Sequence, residues 1–194
     1  MNYGLIGLAA TALVTYGSAA RAEDFTGPRV EATIGWDQLR FDLARYGIAG
    51  TNKESDIAWG LGVGYDLPLN ANLIAGVEAS VTFSDVDKAF SDGTTDYGAH
   101  ARRDLELSGR LGTRIGSNAL LYGKLGYTNF RVGQETSSAG LTSVDTVNLD
   151  GVRLGTGIKV ALSKAAYLKT EYRYSNYQDG VSRNDVVTGL GLRF

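Results

Sequence analysis

Cysteine is absent from the 194 residues, histidine occurs once and proline twice. Without cysteine there is no disulfide framework, no thiolate metal centre and no cysteine nucleophile. A single histidine, His100, excludes a multi-histidine metal cluster. Charge of one sign is also scarce. The 19 Lys and Arg against 21 Asp and Glu leave a net charge of −2, which offers no footprint for nucleic acid. Beyond the N-terminus no uncharged apolar run reaches the roughly 18 residues of a spanning helix, so a helical membrane protein is excluded while a barrel is not. What is plentiful is glycine, with 26 residues. Beside so few prolines, that fits neither a collagen-like nor a disordered chain.

Residues 1–22 carry one charged side chain, Arg21, and residues 5–14 form an apolar stretch as long as the core of a secretory signal. The n-region Met1-Asn2-Tyr3 brings only its amino terminus as positive charge. Ala20-Arg21-Ala22 is a small-x-small cleavage site followed by Glu23-Asp24, and Ser18-Ala19-Ala20 is a second candidate. The expectation is a secretory signal peptide over 1–22 and one folded domain over 23–194, working outside the cytoplasm.

The remainder alternates with period two, the signature of strands with two unlike faces. In 56–67, Ile57, Trp59, Leu61, Val63 and Tyr65 share one face, and Ala58, Gly60, Gly62, Gly64 and Asp66 the other. In 168–175, Leu168, Thr170, Tyr172 and Tyr174 alternate with Lys169, Glu171, Arg173 and Ser175. The same reading holds for 30–36, 73–83, 103–111, 121–129, 152–162 and 186–194, which makes eight strands. Pro28 and Pro68 fall outside strand interiors, as a missing N–H requires. Short connections at 67–71, 113–118 and 163–165 alternate with long ones at 38–55, 85–99, 132–148 and 176–183. Short-turn centres recur about every 47 residues, so the unit is a repeated hairpin.

One face is apolar from end to end, and its single charge is Arg103 at a strand end. The other carries Arg29, Glu31, Glu78, Asp104, Glu106, Arg110, Lys124, Arg153, Lys159, Lys169, Glu171, Arg173 and Arg193, with most strand glycines between them. A soluble barrel would turn the apolar face inward, whereas a membrane barrel turns it out. Three features select the second. The glycines lie on the charged face, where a narrow lumen needs room for long side chains. Trp36, Trp59, Phe83 and Tyr174 gather toward the long-loop end, and Tyr65 and Phe194 toward the short-turn end, as two interfacial girdles would. Short turns on one rim and long loops on the other match periplasmic and extracellular ends. The predicted fold is therefore all-β: an eight-stranded antiparallel up-and-down transmembrane β-barrel. Slipping the seventh strand by one residue would turn Lys169, Glu171 and Arg173 to lipid together, at about 2–4 kcal/mol for each cation at mid-depth. Charges in the lumen cannot stay unpaired either. The expected interior network comprises Glu78, Glu106, Lys124 and Glu171 near the middle, flanked by Arg110, Arg153 and Arg173. Eight strands leave a bore that side chains fill, so no useful pore is expected.

The last residues, 186–194, end in Phe194 with Val186, Leu190 and Leu192 at alternate positions before it. Together with the signal peptide and the segments Leu121-Tyr122-Gly123-Lys124-Leu125-Gly126-Tyr127 and Leu168-Lys169-Thr170-Glu171-Tyr172-Arg173-Tyr174, they make the chain resemble the small eight-stranded bacterial outer-membrane barrels. That family includes opacity-type surface antigens, the barrel domain of outer membrane protein A and alphaproteobacterial surface antigens. The resemblance implies that Val186, Leu190, Leu192 and Phe194 form a sorting signal read by the barrel-assembly machinery. It also implies residence among outer-membrane lipid and lipopolysaccharide, and work as an envelope scaffold, adhesin or surface antigen rather than an enzyme. Arg40, Arg45, Lys53 and Glu54 in the first long loop are candidate contacts to lipopolysaccharide or a host surface. No peptidoglycan-binding domain is expected after the last strand.

Sharper chemistries are weak. His100 with Ser91 and Asp96 lacks the adjacent His-x-Ser spacing of a lipid A hydrolase, and as a lone haem ligand it has no partner. Asp85, Asp87, Asp92 and Asp96 do not have the spacing of a calcium loop. Gly60-Leu61-Gly62-Val63-Gly64 is not a dinucleotide fingerprint. No cofactor and no metal are expected. The competing classes are a lipid A-modifying enzyme, a small ion channel and a haem-binding surface protein.

Overall fold

A computed structural model describes residues 25–42, 51–84, 87–91, 95–138 and 141–194. The expected signal peptide, 1–22, lies outside the described residues. In chain order the strands are β1 (Gly27–Asp42), β2 (Thr51–Pro68), β3 (Leu73–Ser84), β4 (Asp87–Ser91), β5 (Thr95–Ile115), β6 (Ala119–Ser138), β7 (Leu141–Ala161), β8 (Ala166–Tyr177) and β9 (Val181–Arg193). A single 3-10 turn, Gln178–Gly180, joins the last two. No helix among the described residues is long and apolar enough to cross a membrane.

Every pairing is antiparallel, and the order β3-β2-β1-β9-β8-β7-β6-β5 closes through β3 against β5. The ring thus has eight strands, while β4 is a short arm that pairs only with the far end of β5. Closure removes the free edges that an open sheet would present. The stagger is read by following paired residues around the wall: Arg29, Gly64, Glu78, Ser108, Gly126, Arg153, Ser175, Arg183 and then Leu39. The walk returns to β1 ten residues beyond its start. With eight strands, that stagger tilts each by roughly 40° to the axis. All nine positions face the interior, and the row climbs from Arg29 near the short turns to Leu39 near the opposite end.

Polarity is inverted relative to a soluble protein. Leu107 is 63% exposed, Val77 60% and Ile57 60%, whereas Arg153 and Glu171 are each 1% exposed. Several lumen glycines act as seats for long side chains. A Cβ on Gly191 would stand 2.1 Å from the Tyr167 ring, one on Gly64 2.5 Å from the Arg29 guanidinium, and one on Gly155 2.8 Å from the Lys124 stem.

The short turns close as polar sequence dictates. Asn70 Oδ1 accepts the Asn72 and Leu73 amides, both at 2.9 Å, and Ser163 Oγ accepts the Ala166 amide at 3.0 Å. Gly116 takes φ +61°, a left-handed value that glycine adopts without strain. At the opposite end the connections are shorter than the alternation suggests. Pairing of β1 with β2 continues to Asp42 and Thr51, of β5 with β6 to Thr95 and Ser138, and of β6 with β7 to Ser138 and Leu141. These segments are hairpin extensions that stand beyond the apolar band. Their residues do not keep the hydrophobic alternation that marks a strand in the sequence.

Candidate functional site

The lumen holds eight buried carboxylates (Glu31, Asp37, Asp66, Glu78, Asp104, Glu106, Glu171 and Asp185). Facing them are eight buried cations (Arg29, Arg110, Lys124, Arg153, Lys159, Lys169, Arg173 and Arg183), with Arg193 below at the short-turn end. Strand alternation delivers them, since each is an inward residue between two outward ones.

They pair in three tiers. In the tier nearest the short turns, Arg29 Nη1 lies 2.8 Å from Glu31 Oε1 and 2.9 Å from Glu78 Oε2, and its Nε donates to Asp66 at 3.1 Å. Arg110 Nε donates to the same Asp66 at 2.9 Å, and Lys159 Nζ reaches Glu31 at 2.5 Å. Lys169 completes the tier on the other oxygen of Glu31. At mid-depth Lys124 Nζ is the hub, 2.7 Å from Glu106, 2.8 Å from Glu171 and 3.3 Å from Glu78. Arg173 also pairs with Glu171, and the Tyr122 hydroxyl donates to it at 2.5 Å. In the upper tier Arg153 bridges Asp104 and Glu106, the latter at 2.9 Å. Arg183 joins Asp104 at 2.9 Å, Asp37 at 2.7 Å and Asp185 at 3.0 Å.

All seven residues singled out for the interior network lie in these tiers. Four further charges join them inside: Asp37, Asp185 and Arg183, which fall in or beside stretches without regular alternation, and Asp66, at the end of the inner face of β2. The tyrosines Tyr122, Tyr167 and Tyr177 are inside as well, each donating its hydroxyl to a carboxylate: Glu171, Glu31 and Asp104 respectively.

Two apolar plugs close the network. Phe25, Ile74, Leu120, Ala161 and Tyr167 form a floor at the short-turn end, with the Arg193 guanidinium 4.5 Å above the Phe25 ring. Leu39, Phe130, Leu149, Tyr177 and Val181 form a roof, with Arg183 5.5 Å from the Phe130 ring. The floor has a sequence mark, the apolar doublets Leu73-Ile74, Leu120-Leu121 and Ala161-Leu162, where both faces turn apolar at a strand end. Between the plugs a void of about 10 Å³ beside Glu31, Glu78, Lys169 and Arg173 has room for a single water at most.

On the outer surface Trp36, Trp59, Tyr65, Tyr174 and Phe194 are exposed, and Phe83 is half-buried with its ring stacked on Trp59 at 4.6 Å. Tyr127 and Tyr172 share that surface, and their hydroxyls donate to Asp150 and Asn184. Val186, Leu190, Leu192 and Phe194 lie along the outward face of β9, and the Phe194 amide donates to Pro28 O at 3.0 Å across the seam with β1. At the far rim the backbone register sets His100 opposite Asp87. The side chains of His100, Ser91, Asp96 and Asp87, and residues Asp85, Asp92 and Arg45, lie outside the described part, as do the side chains of Lys53 and Glu54. Arg40 is half-buried on β1, opposite Lys53. Among the described residues no group of three or more His, Cys, Asp or Glu could hold a metal ion.

A closed antiparallel ring that is greasy outside and ionic within is the architecture of a membrane barrel, and the outer membrane protein beta-barrel domain model matches residues 6–194. The chain belongs to that family. It is an outer-membrane β-barrel protein of the bacterial envelope. Among solved structures this barrel is similar to Ail, the attachment invasion locus protein of Yersinia pestis, with 19% identity over 87% of this chain and 99% of that one and a TM-score of 0.56. Ail in complex with the heparin analogue sucrose octasulfate matches with a TM-score of 0.57. Neisserial surface protein A matches with 17% identity over 87% of this chain and 98% of that one, at a TM-score of 0.56. At such identities the likeness is one of fold. No match was found among curated proteins.

Proposed function

We propose that this barrel is a non-enzymatic surface protein of the outer membrane, a closed and rigid platform whose long hairpins meet the outside. The observation that carries the reading is the sealed interior. A charge-balanced, side-chain-filled lumen between two apolar plugs leaves no route for a solute and no room for a substrate, so recognition falls to the outer wall and the hairpins. Residues 1–22 direct export, the β9 face of Val186, Leu190, Leu192 and Phe194 is read by the barrel-assembly machinery, and the two aromatic girdles fix depth in the bilayer. The partners are outer-membrane lipid, lipopolysaccharide and a surface or host ligand held by the hairpin tips.

The absence of cysteine makes the orientation easy to test. Asp92→Cys, between β4 and β5, is expected to react with a membrane-impermeant maleimide on intact cells. Asn70→Cys, in a short turn, should react only after the outer membrane is permeabilised. The opposite pattern would invert the topology and remove the surface role. Lipid A mass spectra identical with and without the gene are expected; a shift in acylation that depends on His100 would replace this reading with an enzymatic one.

A further inference from the structure

Arg103 is the one charge that sequence places on the apolar face, and the lumen does not account for it. In the barrel it stands directly opposite Arg131 on the neighbouring strand. Like charges facing one another across a pair of strands repel. Among the described residues neither forms an ion pair. Arg131 Nε donates instead to the neutral Asn148 Oδ1 at 2.9 Å. The juxtaposition continues the regular register of Leu105 opposite Asn129 and Asp104 opposite Phe130, and the pairing shifts by one residue just beyond it, between Arg103 and Ala101.

Below the two arginines, toward mid-depth, the outer wall is hollowed. One cross-strand row reads Leu61, Val81, Leu105, Asn129, and the next Val63, Ala79, Leu107, Tyr127. The short side chain of Ala79 between Val63 and Leu107 leaves a groove of about 700 Å³ bounded by these two rows. The arginines sit two residues beyond Leu105 and Asn129, roughly 7 Å further along the strands. Their level is just outside the Tyr127–Asp150 hydrogen bond, where the wall passes from apolar to polar.

We propose that this face binds a phosphorylated glycolipid of the outer leaflet, with a phosphate bridging Arg103 and Arg131 and an acyl chain in the groove. A dianionic phosphate relieves the repulsion, and two guanidinium forks match its oxygens as single lysines would not. The groove is apolar and opens sideways to lipid, which suits an acyl chain better than a soluble anion. The inference rests on the outer-membrane surface reading and deepens its lipid partner.

The test uses the full-length barrel extracted from outer membranes into non-ionic detergent. Bound bisphosphorylated lipid A is measured by native mass spectrometry, and folding by heat-modifiable gel migration. The wild type should bind lipid A, and inorganic phosphate should not displace it. R103Q/R131Q should fold yet bind at least tenfold more weakly. Ala79→Phe, which fills the groove and leaves both arginines, should also weaken binding. Without lipid A, R103Q/R131Q should unfold at the same or a higher denaturant concentration than the wild type, because a repulsion has gone. Undiminished binding by a folded R103Q/R131Q, or by Ala79→Phe, would overturn the proposal. So would full displacement by inorganic phosphate, which describes an anion site only, or a lowered unfolding midpoint, which means a protein group already satisfies the pair. None of these failures touches the cysteine-labelling result, so the surface reading stands or falls separately.

Discussion

Lys124 touches three carboxylates on three different strands, Glu78, Glu106 and Glu171, and its ammonium has no contact with water. Removing that one cation leaves buried like charges facing each other, a loss of about 3–5 kcal/mol for a buried ionic group deprived of its partner. Lys124→Met should lower the unfolding midpoint in denaturant by that amount for barrels held in lipid vesicles, and adding Glu106→Gln should restore part of it. Equal midpoints for wild type and Lys124→Met would show that the interior is solvated. Gly191 probes the packing rather than the charge. Its missing Cβ is where the Tyr167 ring lies, and that ring closes the floor while its hydroxyl holds Glu31. Gly191→Val forces the ring aside and should cost about 1–3 kcal/mol in the same assay. Unaltered stability there would mean the floor is loosely packed.

At the scale of elements, the lipid-facing side of each strand is as exacting as the inner one. Leu125 lies mid-strand on β6 and is 58% exposed to what would be hydrocarbon. Leu125→Arg should destabilise by about 2–4 kcal/mol in bilayers, and by much less when the same residue faces water at a hairpin tip. Legibility in the sequence follows the same division. Where one face meets lipid and the other the lumen, as in 168–175, the alternation is strict and strand, register and facing are all readable. Beyond the girdles the outward residues are no longer regularly apolar, and the extensions of β1, β5, β6 and β7 read as loop. Arg183 and Asp185 are buried in the lumen, but their outward neighbours Ser182 and Asn184 are polar, so no apolar face marks the strand there. The plugs were hidden by the reverse effect: at the strand ends the inner face turns apolar too, and alternation vanishes into doublets such as Leu120-Leu121. The groove could not be read at all, because it depends on Ala79 lying beside Val63 and Leu107 in a register that only closure fixes.

For the whole molecule, eight acids face eight bases between the plugs, with Arg193 as a ninth base at the floor, and the plugs close the bore at both ends. In planar bilayers the protein should give no steady conductance, and steady nanosiemens steps would contradict a filled lumen. Buried pairs are poorly screened, so raising ionic strength should leave the unfolding midpoint nearly constant. A strongly falling midpoint would place water among the ion pairs.

The stagger of the wall has a consequence for synthesis. Glu31 on the first strand bonds Lys159 and Lys169 on β7 and β8, the sixth and seventh strands of the ring, and Asp37 bonds Arg183 on the last. A ribosomal product broken off before its final hairpin would therefore carry stranded anions from its very first turn of chain. Such a fragment has no neutral way to enter hydrocarbon, so the electrostatics of the finished cylinder serve as a checkpoint that only a complete chain can pass.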